Sequence, residues 1–279
     1  MKKKWTQIKE LSGFDAFSNL VLIFIAVSIV LLLVAHQNKF YDDPGWINDV
    51  LVEAHGMWFD ILILGILAAV LGLGTEKKQN IQRYSEEIED FLAWESDESA
   101  YRIAGSIRRL NRLGTVPKSL YGVNLSDIDL NGVNLSGVDL SESKLIDTKL
   151  CGAILKDADL SGADLTDAFL IGADLSGANL SDVRANGAKL RGARLDQANL
   201  SDSNFSRAEI TGASLLFANL SNALFFRADF TGADLRKADL SCANFSRATI
   251  TESQIELSKL CQTRFPKSFS MDSNRDCIS

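Results

Sequence analysis

The chain has 279 residues, 46% of them hydrophobic and 23% charged, with a formal net charge of −7 at pH 7. That length holds one or two ordinary domains, and the mildly acidic balance excludes a general nucleic-acid binder, which needs a basic footprint. Cys151, Cys242, Cys261 and Cys277 show neither CxxC pairing nor dense spacing, so neither a zinc site nor a disulfide framework is indicated; they read as free, partly buried thiols.

Residues 1–16 form a basic N-terminal segment carrying Lys2, Lys3, Lys4 and Lys9. Residues 17–35 follow without a charge, close to the roughly 17–25 apolar residues that cross a bilayer as a helix. Residues 57–74 make a second, shorter apolar run with one carboxylate, Asp60, near its leading end. Both runs read as transmembrane helices. The loop 36–56 holds Asp42, Asp43, Asp49 and Glu53, whereas Lys77, Lys78 and Arg83 follow the second run. Basic flanks stay on the cytoplasmic side, which predicts a multi-pass inner-membrane protein with both termini in the cytoplasm and the acidic loop outside. A cleaved signal peptide is the rival reading of the first run, but Leu33-Val34-Ala35 is a poor cleavage site. Either way the second run delivers the rest of the chain to the cytoplasm. Asp60 reads as an interfacial carboxylate, against the alternative of an ion path. Gly65 and Ala69 form a small-xxx-small pair able to pack on the first span or on a second copy.

Residues 75–118 form a helical connector and N-terminal cap. Ile81, Tyr84, Ile88, Phe91 and Leu92 recur at helical spacing among acidic residues, and Ser96 and Asp97 are N-cap candidates for a second helix rich in arginine. This basic helix suits covering the first coil of whatever follows, since an open solenoid end needs a cap; resting on anionic headgroups is the other role open to it.

From Leu120 to Phe265 a large apolar residue stands on every fifth position, Ala185 being the one that is not Leu, Ile or Phe. A small residue, mostly Ala, sits two positions before each, giving pentads such as ADLSG, ADLTD, ANLSD and ADFTG. A fixed short period marks a solenoid. The A-(D/N)-L-x-x pattern over residues 119–265 resembles the pentapeptide-repeat family. The resemblance implies an all-β solenoid, a right-handed quadrilateral β-helix of four pentads per coil with the Leu/Phe and the Ala pointing inward. At the usual strand spacing of about 4.8 Å, about seven coils make a rod roughly 35 Å long. Ala185 predicts a local cavity or a bent coil. Residues 266–279 form a C-terminal tail.

With twenty residues per coil, outward positions stack in columns. Gly132, Gly152, Gly172, Gly192, Gly212 and Gly232 read as identical tight turns. Asp139, Asp159, Asn179, Asn199, Asn219 and Asp239 make a polar ladder. A third column runs Asp127, Asp147, Asp167, Gly187, Arg207, Arg227, Arg247, with Lys267 beyond it in the tail. It is the candidate interaction edge, acidic near the linker and basic at the far end; solvated drift is the bland account of the same pattern. Outward Leu216/Phe217 and Leu224/Phe226 fall on opposite sides of the tube.

No catalytic set, cofactor site or metal site is expected: the two histidines, His36 and His55, flank the loop, and no phosphate-binding loop is present. Some members of the resembled family shield DNA gyrase with an acidic, duplex-like rod. Here the repeats are near charge balance, fifteen Lys/Arg against nineteen Asp/Glu over 118–265, and they lack loop insertions. The expectation is a non-enzymatic, membrane-anchored scaffold that contacts the bilayer and an unidentified protein partner, with self-association also open and no direct nucleic-acid contact. A gyrase-binding role and an accessory subunit of a channel or transporter are the alternatives.

Overall fold

The computed structural model describes residues 63–65, 67, 72, 74–94 and 96–277 and divides the chain into two units, Met1–Asn80 and Ile81–Ser279. The first apolar run, the loop and Asp60 lie outside the described residues, and the second run is described only at scattered helical positions. Among the described residues no helix is long and apolar enough to cross a membrane.

The second unit opens with helical residues 81–92 (α1) and continues with α2, Asp97–Arg112. Ser96 caps α2 reciprocally: its hydroxyl accepts the Ser99 N–H at 3.1 Å while the Ser99 hydroxyl accepts the Ser96 N–H at 3.3 Å. This capping box satisfies two of the N–H groups that a helix start leaves unpaired. The acidic and basic helices pair as their charges suggest. The Ser106 hydroxyl donates to Glu87 at 2.5 Å, Arg109 lies 3.7 Å from the same carboxylate, and the Arg102 and Arg109 guanidiniums cover the Phe91 and Tyr84 rings.

Beyond Ser119 the chain winds into a parallel β-helix whose bridges, at one residue per pentad, join positions twenty apart, from Ser119↔Asp139 to Asn244↔Arg264. In a regular pentad every backbone amide has its own destination, as buried amides require. In Asp159–Ala163, Asp159 N–H donates to the preceding coil (Val138 O, 3.0 Å). Leu160 and Gly162 donate to the following coil (Asn179 O, 2.7 Å; Ser181 O, 3.0 Å), and Ala163 closes the turn on Leu160 O at 3.0 Å. The fifth amide, Ser161, donates to the Asp159 side chain at 2.9 Å. The recurrent D/N-L-S/T triplet is therefore an Asx turn, and it explains why Asp or Asn precedes the core residue.

The second turn residue is left-handed in pentad after pentad, from Gly122 (φ 64°) to Arg247 (φ 62°). Glycine marks only some of these turns in the sequence; Asp, Asn, Arg and even Phe217 (φ 59°) adopt the same conformation.

Inside the tube the core residues from Leu120 to Leu260 and the small residues from Val123 to Ala248 are buried, and Phe265 is partly buried. Phe205, Phe225, Phe245 and Phe265 stack in one column at centroid spacings of 5.8, 5.0 and 5.9 Å, and Phe230 meets Phe225 edge-on at 5.1 Å. Ala185 stands one coil before these rings in the same column, and the coil there is not bent. Its N–H donates to Asn204 O at 2.8 Å, and Arg184 keeps both bridges, to Asp164 and to Asn204. Val183 replaces the usual Ala two positions before it and returns part of the missing volume.

Both ends of the tube are covered. On α2, Ile103, Ala104, Ile107 and Leu110 join the core cluster. Asn111 stands in for a peptide of an absent coil: its Nδ2 donates to Asn134 O at 2.9 Å, and its Oδ1 accepts Asn134 N–H at 2.6 Å. Arg108 donates to the neighbouring carbonyl of Asp129. At the other end the pentads break at a 3-10 turn, Glu252–Gln254. The chain leaves the frame after Phe265 and folds back. Phe269 stacks on Phe265 at 4.9 Å, Leu260 N–H donates to Asp276 at 2.8 Å, and Asp276 N–H donates to Leu260 O at 3.0 Å. A Cys261–Cys277 disulfide fastens this return, which corrects the reading of four free thiols: Cys151 and Cys242 alone are free.

Candidate interaction surface

Several outward columns are occupied by bonds within the rod. In the polar ladder, Asn179 donates to Asp159 at 3.0 Å, Asn199 to Asn179 at 3.1 Å and Asn219 to Asn199 at 2.9 Å, and Lys259 pairs with Asp239 at 2.8 Å. The Asp139 carboxyl is held below its ordinary value by the Ser141 hydroxyl, against the opposing effect of burial. On another face Asp174 receives Lys156 at 3.3 Å and Arg194 at 3.7 Å, and Arg194 also reaches Asp196 at 3.5 Å. Asp164 receives Arg184 at 3.0 Å. Burial pushes the Asp164 carboxyl up, but the Thr166 hydroxyl and N–H and the Arg184 guanidinium outweigh it, and its pKa falls below the usual value.

The predicted edge is different. Asp127, Asp147, Asp167, Gly187, Arg207, Arg227 and Arg247 occupy one corner of the tube, one per coil, with φ between 53° and 71°. Each N–H from Asp127 to Arg227 donates to the next coil, as in Asp167→Asn186 O at 2.9 Å and Arg207→Phe226 O at 2.9 Å. All six charged residues are exposed, and the ion pairs described above use other columns. The Asp167 carboxylate lies over Gly187, in the space a Cβ there would need. Lys267 does not extend the column, because the chain has already turned back at Pro266 toward Phe269.

An aromatic neighbour of this edge was legible only as an isolated outward residue. The guanidiniums of Arg227 and Arg247 lie over the Phe226 ring, at 5.3 and 5.6 Å from its centre. The signal was adjacency in two directions, one residue along the chain and one coil along the rod. Elsewhere Lys189 covers Phe169 at 4.0 Å and Lys237 covers Phe217 at 5.0 Å. Phe217 and Leu224 remain 55% and 42% exposed on opposite faces, so they do not merge into one apolar patch. Among the described residues no group of His, Cys, Asp and Glu is placed to hold a metal ion, and the concavities beside α1 and at the C-terminal end are shallow and open to solvent.

The profile of the pentapeptide repeats family matches residues 119–157, 158–197, 188–225 and 228–265. Among solved structures the chain is similar to HetL, a pentapeptide repeat protein involved in heterocyst differentiation regulation in the cyanobacterium Nostoc sp. strain PCC 7120. The identity is 31%, covering 54% of this chain and 86% of that one, with a TM-score of 0.35. It is similar to a pentapeptide repeat protein of the Arabidopsis thaliana thylakoid lumen at 30% identity, covering 55% and 85% with a TM-score of 0.24. It is also similar to full-length QnrB1, a plasmid-mediated fluoroquinolone resistance protein, at 22% identity, covering 52% and 85% with a TM-score of 0.28. No curated protein sequence matches the chain.

Proposed function

The chain belongs to the pentapeptide-repeat family, and from that premise we propose that it is a non-enzymatic scaffold anchored in the inner membrane, presenting its β-helix in the cytoplasm for protein–protein contact. The observation that carries this reading is the edge from Asp127 to Arg247. Arg207, Arg227 and Arg247 stand one per coil on this corner with their side chains exposed, in the same left-handed turn conformation that the coil-to-coil bonding gives the other corners. Saturation of the backbone amides makes the rod a stiff support on which such an edge keeps its spacing.

The anchor rests on the two apolar runs, and exposed Ile63, Leu64 and Leu67 at helical positions of the second run suit contact with lipid. The Cys261–Cys277 disulfide favours a second reading of location, because stable disulfides belong to oxidising compartments. A reporter that is active only outside the cytoplasm, fused after Ser279, decides between them: silence supports the cytoplasmic rod, and activity places the rod outside.

The interaction role is tested by pull-down of the detergent-solubilised protein, wild type against Arg207→Glu, Arg227→Glu and Arg247→Glu combined. Loss of a partner on reversal supports the edge, whereas an unaltered set of partners removes it. Gyrase binding remains the alternative reading, and a gyrase subunit in the eluate would reverse the ranking.

A further inference from the structure

The charges of the edge are antisymmetric about Gly187. One coil to either side stand Asp167 and Arg207, two coils away Asp147 and Arg227, three coils away Asp127 and Arg247. We infer that the occupant of this edge is a second copy of the same chain, laid alongside in the antiparallel direction about a two-fold axis passing Gly187. The inference rests on the reading of this corner as a docking edge and names its partner.

A two-fold contact is isologous, so residue i meets residue j and j meets i. Antiparallel copies put Asp167 against Arg207, Asp147 against Arg227 and Asp127 against Arg247, each pair made twice. The strip spans six coil spacings, about 29 Å. Every pair joins a short carboxylate to a long guanidinium, so the gap between the rods is uniform along its length. Parallel copies in register would instead set like charge on like charge at every coil but that of Gly187.

The adjoining column carries the same symmetry independently. Its members 126, 146, 166, 186, 206, 226 and 246 are Ser, Ile, Thr, Asn, Ser, Phe and Ser. The two large apolar residues, Ile146 and Phe226, are both partly buried and stand two coils to either side of Asn186. The same operation therefore brings Ile146 of one copy onto Phe226 of the other, whose ring already contacts the guanidiniums of Arg227 and Arg247. Near the axis, Arg184 faces its own copy, and its charge is answered within its own chain by Asp164 at 3.0 Å. Exposed ion pairs are individually weak, so the contact is narrow, salt-sensitive and dependent on all six pairs forming in register.

The test uses the full-length chain in detergent with Cys151→Ser and Cys242→Ser, and reads disulfide cross-linking under mild oxidant. Two differently tagged versions carry Ile146→Cys or Phe226→Cys. The expected result is a cross-link when the two are mixed and little when either is alone. Adding Arg207→Glu, Arg227→Glu and Arg247→Glu to both lowers the yield at least about tenfold, equivalent to about 1.4 kcal/mol. Adding Asp127→Lys, Asp147→Lys and Asp167→Lys as well restores the yield, because the antisymmetry is then rebuilt with reversed sign. Cross-linking of either version by itself, absence of the mixed product, or a yield indifferent to the reversals each overturns the inference. A heterologous partner lost on arginine reversal, in a chain that gives no mixed cross-link, leaves the docking edge standing and removes the second copy.

Discussion

Truncating Phe225 tests how the far half of the rod is held. The side chain is fully buried, with Phe205 at 5.8 Å, Phe245 at 5.0 Å and Phe230 at 5.1 Å. Phe→Ala in a core costs about 3–5 kcal/mol, and each ring pair contributes roughly 0.5–1.5 kcal/mol beyond buried area. Leu occupies the same column at positions 125, 145 and 165, so Phe225→Leu preserves most of the apolar contact and loses chiefly the stacking. We expect about 4 kcal/mol for Phe225→Ala and about 1.5 kcal/mol for Phe225→Leu. Urea unfolding followed by far-UV circular dichroism gives the magnitude, and native-state amide exchange gives the place. In a solenoid, coupling is mostly between neighbours, so protection should fall around residues 220–250 and persist around 120–140. Equal losses for Ala and Leu would refute the stacking account, and loss of protection spread evenly along the rod would refute the nearest-neighbour one.

Asn111→Ala leaves the N–H and C=O of Asn134 without their partners and should cost roughly 1–3 kcal/mol, seen as faster amide exchange in the first coil only. Reduction, or Cys277→Ser, opens a link between residues 16 apart; about 3 kcal/mol is expected from chain entropy for a loop of that size, and limited proteolysis should then cut within 266–277 before the repeats. Asp139, Asp164, Asp174, Asp234 and Asp239 all have lowered folded-state pKa values. Their contribution is therefore complete above the unfolded value of about 3.9 and is lost as pH falls below it through the folded values. Melting temperature should hold steady near neutrality and drop in acid below about pH 4; Asp164→Asn should make that drop shallower, and a decline centred between pH 5 and 7 would count against these carboxylates.

The core frame and the twenty-residue stacking were legible because both depend on a period, and a period survives in one dimension. Legible too was the position of the six edge charges, since stacking follows from arithmetic on the frame. What a period cannot carry is the treatment of its two ends. Asn111 looks like any polar residue at a helix end until Asn134 is set against it. Cys277 shows its partner only when the tail folds back over Leu260. The Asx turns lay between these cases: the D/N-L-S/T triplet was visible, but its reason lay in one amide per pentad that neither neighbouring coil accepts. Left-handed turns were seen where glycine announced them and missed at Arg207 or Phe217, where coil-to-coil bonding imposes the conformation on residues that do not favour it.

Because each coil bonds to its two neighbours by the same pattern, the chain between the caps is indifferent to its own length, and only whole circuits leave the ends in the same relation. Removing twenty residues would shorten the rod by one layer and keep α2 and the Cys261–Cys277 return over the same sides. Removing five would leave every remaining pentad intact yet turn one end by a quarter circuit relative to the other, splitting each surface column between two faces. Gene duplication acting on such a chain is therefore quantised in angle: circuits extend the rod, while fractions of a circuit rewrite which residues share an edge.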